Sequence, residues 1–317
     1  MRAAAIDRFG PPSVLKTHEL PIPSVGAHDV LIGVHTAGVA TWDPDVRTGA
    51  WAAEGARFPR VLGTEGSGTV VARGARVRRL RVGDKVYGVS FDSRKSGFYA
   101  EYTAVAAQNV ARIPRRLDLL HAGALPAVAL TALRGIDDAL EVKRDESVVV
   151  LGASGNVGVF AVQFAKQRGA AVLAIASGRD GCALAKRLGA DVAIDGKRAD
   201  VADELVDFAP DGVDAVLGLT GGTVLTKCIA ALRRGGRIAY PNGIEPAPRK
   251  RRGIKLVAYD AKPGVKQFAR LTRALDQASL IVPIAKQFPL GQAAQAHRLV
   301  EKGHLLGRVV LRVARRR

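Results

Sequence analysis

The segment "SVVVLGASGNVGVFAVQFAKQRGA" (147–170) narrows the possible folds of this chain more than any other. An apolar run is followed by Gly152, Gly155 and Gly158, spaced three apart, and then by apolar residues at helical spacing. A buried strand that turns at once into a helix packed on it is the repeating unit of a parallel sheet covered on both faces. Further apolar strands follow at "AAVLAIAS" (170–177), "ADVAID" (190–195), "VDAVLGL" (213–219) and "GRIAYPNG" (236–243), with helix-compatible spans between them. The stretch 119–140, "LLHAGALPAVALTALRGIDDAL", also reads as mostly helical. The pattern predicts an α/β fold with a doubly wound parallel sheet.

Residues 1–112 read differently. Short strands at "DVLIGVHTAGV" (29–39), "GSGTVVARGARV" (66–77), "DKVYGVS" (84–90) and "FYAEYTAV" (98–105) are closely punctuated by glycine and proline, as in an antiparallel, barrel-like domain. After about Val265 come a helical period "VKQFARLTRALDQ", a strand "IVPIAKQFPL", a helix "GQAAQAHRLVEKG" and a final strand "GRVVLRV". A strand that closes a chain needs a partner, and this tail is expected to return to the N-terminal domain. The 317 residues therefore divide into 1–122 plus 266–317, a substrate and catalytic domain, and 123–265, a nucleotide-binding domain.

Hydrophobic residues make up 48% and charged residues 24%, and no run of eighteen apolar residues occurs, which excludes a membrane-spanning helix. The opening "MRAAAIDRFG" lacks a signal peptide's apolar region, so a cytoplasmic protein is expected. Two cysteines, Cys182 and Cys228, exclude a disulfide framework and a four-cysteine zinc site. The net charge of +19 favours anionic partners, and basic residues thicken at "RGARVRRLR" (73–81), "PRKRRGIK" (248–255) and "ARRR" (314–317). No aromatic residues interleave with these runs, as a nucleic-acid surface would require, and solvated faces are the simpler reading.

The glycine turn has the context of a dinucleotide site. One glycine permits the tight turn, one lets the backbone approach a pyrophosphate, and one lets the helix pack close to the strand, while the helix N-terminus faces the anion. Gly152, Ser154, Gly155, Asn156, Val157 and Gly158 are the predicted contacts. An NAD site places a carboxylate at the end of the second strand. Here Ser177 and Arg179 stand at that place and Asp180 follows too late, so a hydroxyl and a guanidinium suit a 2′-phosphate and NADP(H) is the expected cofactor.

The chain resembles the medium-chain dehydrogenase/reductase superfamily, and within it the zinc-independent quinone oxidoreductase branch. The resemblance is carried in order by "GAHDVLIGVHTAGV", "PRVLGTEGSGTVVARGARV", "VGDKVYG", "GFYAEY", "LPAVALTAL", "GASGNVGVFAVQFAK", "LGAD" and "GHLLGRVVL". It implies a GroES-like barrel domain completed by the C-terminal segment, beside a Rossmann domain. It also implies hydride transfer from NADPH to a quinone or α,β-unsaturated carbonyl, and a homodimer or homotetramer. The superfamily's metal branch holds zinc with Cys, His and Cys; Ala40, Thr64 and Ala127 occupy those places here, so metal-free chemistry is expected.

Asp43, Arg47 and Gly49 match the quinone reductases, whereas Ala40 replaces their Asn, and no family proton donor carries over. No acid or base stands out as catalytic. Trp42, Asp43, Trp51, Tyr87, Phe91 and Tyr99 are the substrate-pocket candidates. The family match adds Thr131 as a cofactor contact, and the strand end adds Tyr240, Asn242 and Gly243. Many relatives have Lys where this chain has Gly181. The six histidines show no ligand spacing and are read as structural. Two other functions remain open: an enoyl or haloacrylate-type reductase, and a non-catalytic nucleotide-fold protein that binds nucleic acid through its basic surface.

Overall fold

The computed structural model describes residues 1–51, 56–91, 97–277 and 280–313. The chain divides into two compact units, Met1–Ala127 with Pro263–Arg317, and Val128–Lys262. The divisions fall at 127/128 and 262/263, where the sequence reading put 122/123 and 265/266. The basic run 314–317 lies outside the described residues.

The first unit begins with β1 (Arg2–Ile6), β2 (Leu15–Glu19), β3 (Asp29–Val39), α1 (Asp43–Thr48), β4 (Arg60–Val61), β5 (Glu65–Arg73), β6 (Lys85–Val89), β7 (Tyr102–Ala106), β8 (Val110–Arg112) and α2 (Leu119–Gly123). Helix α3 (Pro126–Arg134) follows. The second unit continues with β9 (Ser147–Leu151), α4 (Gly158–Gln167), β10 (Ala171–Ala176), α5 (Gly178–Arg187), β11 (Val192–Asp195), α6 (Val201–Phe208), β12 (Val213–Gly218), α7 (Thr223–Ala230), β13 (Leu232–Pro241) and β14 (Lys255–Tyr259). The chain then returns to the first unit through α8 (Val265–Gln277), β15 (Ile284–Pro289), α9 (Ala293–Lys302) and β16 (Arg308–Arg312).

In the first unit a seven-stranded sheet runs β15-β16-β3-β5-β6-β8 with β7 also on β3, and a smaller sheet runs β2-β1-β4. The long β3 is its hub. Val309, Val310 and Leu311 of β16 lie antiparallel to Val39, Gly38 and Ala37, so the last strand is paired within the unit that holds the N-terminus. The apolar faces enclose a core that includes Ile6, Ile32, Leu62, Val86, Phe98 and Leu311. Helix α1 is cut short by its ends: Asp43 and Pro44 open it, and Gly49, at φ +91°, closes it in the left-handed conformation.

The second unit is a parallel six-stranded sheet in the order β11-β10-β9-β12-β13-β14. Counting from its first strand this is 3-2-1-4-5-6, the doubly wound order whose direction reverses between β9 and β12. Near-continuous valine, leucine, isoleucine and alanine in the central strands follow from burial on both faces. Two features depart from the sequence reading. Strand β13 starts at Leu232, through "RRGG", with an irregular register against β12 between Val213 and Ala215. Strand β14 went unpredicted because an edge strand with Lys255 at its start and a mostly half-exposed face lacks the continuous apolar signature. No helix of the described residues is long and apolar enough to cross a membrane.

Candidate functional site

The turn after β9 stands at the reversal point of the sheet, where an open α/β sheet forms its ligand crevice at the strands' carboxyl ends. Gly152 adopts φ +83°, a conformation that side-chain-bearing residues rarely take. The N–H groups of Gly152 and Ala153 donate to Ile175 O (2.9 and 3.1 Å), tying the turn to β10. Gly158 starts α4 so close to the turn that a Cβ there would lie 2.2 Å from Gly152 O and 2.7 Å from Ala153 Cα. Helix α4 has no side-chain cap, which leaves the positive end of its dipole without a protein anion. Beside it, the buried amide of Asn156 has neither its nitrogen nor its oxygen hydrogen-bonded. A buried amide of this kind calls for a partner from outside the chain, and the turn fits a dinucleotide.

At the end of β10, Ser177 precedes α5 and makes no capping bond with its side chain. Arg179 is exposed in the first turn of α5, and Asp180 takes the N–H of Gly181 (2.9 Å). Gly181 packs on the glycine turn, where an added Cβ would lie 3.1 Å from Ser154 Oγ. A carboxylate missed from the sequence stands nearby: Asp195, in register with Ala176, accepts the backbone N–H groups of Lys197 (3.1 Å) and Gly178. These bonds hold its carboxyl below the ordinary range. Thr131 is buried on α3. Tyr240 lies near the end of β13, the side-chain amide of Asn242 donates to Asp260 Oδ2 (2.7 Å), and Gly243 takes φ +89°.

The first unit holds a buried polar chain. Arg47, on α1, donates to Gly10 O (2.9 Å), to His297 Nδ1 (3.0 Å) and to Glu301 Oε1 (2.5 Å), the last two on α9. Arginine has donors only, so Nδ1 of His297 accepts and its ring proton sits on Nε2, facing Tyr99 OH (3.3 Å). Tyr99 in turn donates to Asp43 Oδ2 (2.9 Å), which also takes the Ala40 N–H (2.8 Å). Thr64 donates to Asp43 Oδ1 (3.4 Å) and accepts from Trp42 Nε1 (3.1 Å).

The protons of His297, Tyr99, Thr64 and Trp42 run toward Asp43, while Arg47 also donates outward to Gly10 and Glu301. Burial raises the Asp43 carboxyl to about 6 against the pull of these bonds and of Arg308. Burial and the charge of Arg47 push His297 down to about 3, so it is neutral.

Next to this chain lies Glu65, wholly buried and paired with wholly buried Arg308. Its second oxygen accepts the Ala127 N–H (2.7 Å). The three places where the resemblance puts metal ligands, Ala40, Thr64 and Ala127, are thus joined to Asp43 and Glu65 by backbone amides and one hydroxyl. Among the described residues no group of three or more His, Cys, Asp and Glu side chains is gathered as a metal site would need.

Of the predicted pocket residues, the fold brings Trp42, Asp43 and Tyr99 together and disperses the rest. Tyr87 is buried edge-on to Phe268 (5.3 Å between ring centres), with its hydroxyl 3.0 Å from Thr272 Oγ1. Trp51 and Phe91 are 51% and 44% exposed. The sequence reading assigned His297 a structural role without showing which groups it meets, and it missed Glu301 and the pairing of Glu65 with Arg308. The match of Arg47 to the family motif was a usable signal, but nothing local marks His297, 250 residues away.

Residues 26–115 match the alcohol dehydrogenase GroES-like domain family, and residues 188–311 match the zinc-binding dehydrogenase family. The chain is 30% identical over 325 residues to a quinone oxidoreductase of Rattus norvegicus, covering 98% of this chain and 97% of that one. A solved NAD-dependent alcohol dehydrogenase is similar with a TM-score of 0.91 at 30% identity, over 99% of this chain and 100% of that one. A mycobacterial protein solved in complex with NADPH is similar with a TM-score of 0.88 at 28% identity, over 99% and 100% of the two chains. With strand order, glycine turn and full-length similarity in agreement, the chain belongs to the medium-chain dehydrogenase/reductase superfamily, in its quinone oxidoreductase-like branch.

Proposed function

We propose that this protein is an NADPH-dependent oxidoreductase that passes a hydride to a quinone or an α,β-unsaturated carbonyl without a catalytic metal. The observation that carries the cofactor reading is the uncapped glycine turn with its unbonded Asn156 amide. Preference for the 2′-phosphate is supported by the exposed Arg179 and by Ser177, whose hydroxyl caps nothing. It is further supported by Asp195, whose carboxylate is engaged by the Gly178 and Lys197 amides. The nicotinamide supplies the hydride when bound. Thr131, Tyr240, Asn242 and Gly243 are the residues we assign to hold that half of the cofactor.

The metal-free reading rests on donor chemistry. Zinc takes nitrogen, sulfur or carboxylate ligands; two alanines offer none, and the Thr64 hydroxyl already serves Trp42 and Asp43. Without a Lewis acid to polarise a simple carbonyl, an acceptor that delocalises the incoming charge is the fitting substrate. Among the pocket candidates we assign Trp42, half-buried with its indole N–H donated to Thr64 Oγ1 (3.1 Å), to contact such a planar acceptor.

Fluorescence titration with NADPH and NADH, followed by the fall in nicotinamide absorbance on adding quinones and enones, tests the reading. Tighter NADPH binding with turnover of a conjugated acceptor is the expected result. Equal or tighter NADH binding overturns the cofactor preference. Binding of neither, with steeply salt-dependent binding of nucleic acid, replaces the enzyme reading with the basic-surface one.

A further inference from the structure

A groove of about 620 Å³ lies in the first unit between α8 and the segment around β8, within the size range of small-molecule sites. Its floor is apolar, with Leu80 and Phe268 fully buried, and at its edge Val265 leaves 48% of its surface exposed. Its polar lining is mainly guanidinium: Arg79, Arg112 and Arg273 against one acid, Asp276, with Asp84 pairing Arg112 (3.0 Å) from outside the lining.

Arg79 is held in place by the carbonyls of Ala107 and Val110, and Arg112 beside it carries the same charge. Burial and that neighbouring charge both lower the Arg79 pKa, a crowding that a bound anion relieves. Asp276 stands three positions after Arg273 on α8 and Asp84 pairs Arg112, whereas the acceptors of Arg79 are neutral backbone carbonyls, so the least compensated positive charge is at Arg79, with Arg112 beside it.

We propose that this groove binds a free amphipathic anion, its carboxylate or phosphate on Arg79 and Arg112 and its hydrocarbon body along Val265 and Ala269, above the buried Leu80 and Phe268. Arginine supplies the planar, paired donors that such headgroups take.

Isothermal titration of the full chain with sodium decanoate, kept below micelle formation, tests this directly, with decyltrimethylammonium and decanol as controls. Decanoate is expected to bind, and the two controls are expected to bind at least tenfold more weakly. Asp276→Asn is expected to tighten binding about threefold and Arg273→Gln to weaken it about threefold, as exposed charges do. Ala269→Trp, at an exposed position of α8 lining the groove, is expected to abolish binding while leaving the thermal midpoint unchanged. No decanoate binding, equal binding of decanol, or affinity indifferent to all three substitutions overturns the proposal. So does binding to anionic phospholipid vesicles without binding of free decanoate.

Discussion

Glu65 and Arg308, 243 residues apart, form an ion pair in which neither side chain reaches solvent. The pair joins β5 to the last strand, β16, and Gly38 makes room for it: a Cβ there would lie 2.7 Å from Glu65 Oε1. Removing one partner leaves a buried charge uncompensated, which costs about 3–5 kcal/mol, whereas replacing both with apolar residues is often near neutral. Arg308→Met is therefore expected to lower the thermal midpoint sharply. The double variant Glu65→Leu/Arg308→Met is expected to recover much of the loss, measured by calorimetry on both.

The glycines of the turn should rank by what a methyl group meets. At Gly158 it strikes the Gly152 backbone at 2.2 Å, whereas at Gly155 the nearest atom is 3.3 Å away. Gly158→Ala is expected to cost about 1–3 kcal/mol by overpacking and to remove nucleotide binding. Gly155→Ala should keep the fold and lose affinity only partly. Titration of both variants with NADPH, alongside circular dichroism, checks the order.

Arg179 is exposed, so its contribution to a 2′-phosphate is screened by solvent. Arg179→Gln is expected to weaken NADPH binding roughly three- to tenfold and to leave NADH binding unchanged. Equal losses for both nucleotides would show that the guanidinium serves the fold rather than the phosphate.

Asp43 and His297 make opposite demands on pH. Asp43 has its folded pKa raised to about 6 from an ordinary 3.8, so between these values the folded state holds the extra proton and stability rises as pH falls. His297 has its folded pKa lowered to about 3 from an ordinary 6.5, so there the unfolded state holds the proton and stability falls as pH falls. Each contributes a slope of about 1.4 kcal/mol per pH unit, and between pH about 4 and 6 they nearly cancel. Chemical denaturation across this window is expected to show His297→Asn gaining stability relative to the wild type as pH falls and Asp43→Asn losing it. Parallel curves for all three proteins would exclude the pair as titrating groups.

Local pattern determined much of this protein. The alternation of apolar strands and helical periods, the helix at 265–277 and the glycine turn were legible because their causes are local. A two-sided burial writes a continuous apolar run, an amphipathic helix writes its period, and a strand that turns directly into a packed helix admits only glycine where Gly158 stands. Only the tertiary structure decided which polar groups meet. Arg47 finds His297 and Glu301, Glu65 finds Arg308, and Tyr87 turns to α8 rather than to Tyr99. These pairings follow from how distant strands and helices close on one another. A buried charge must find its counterpart in space, and no spacing along the chain records where that counterpart will be.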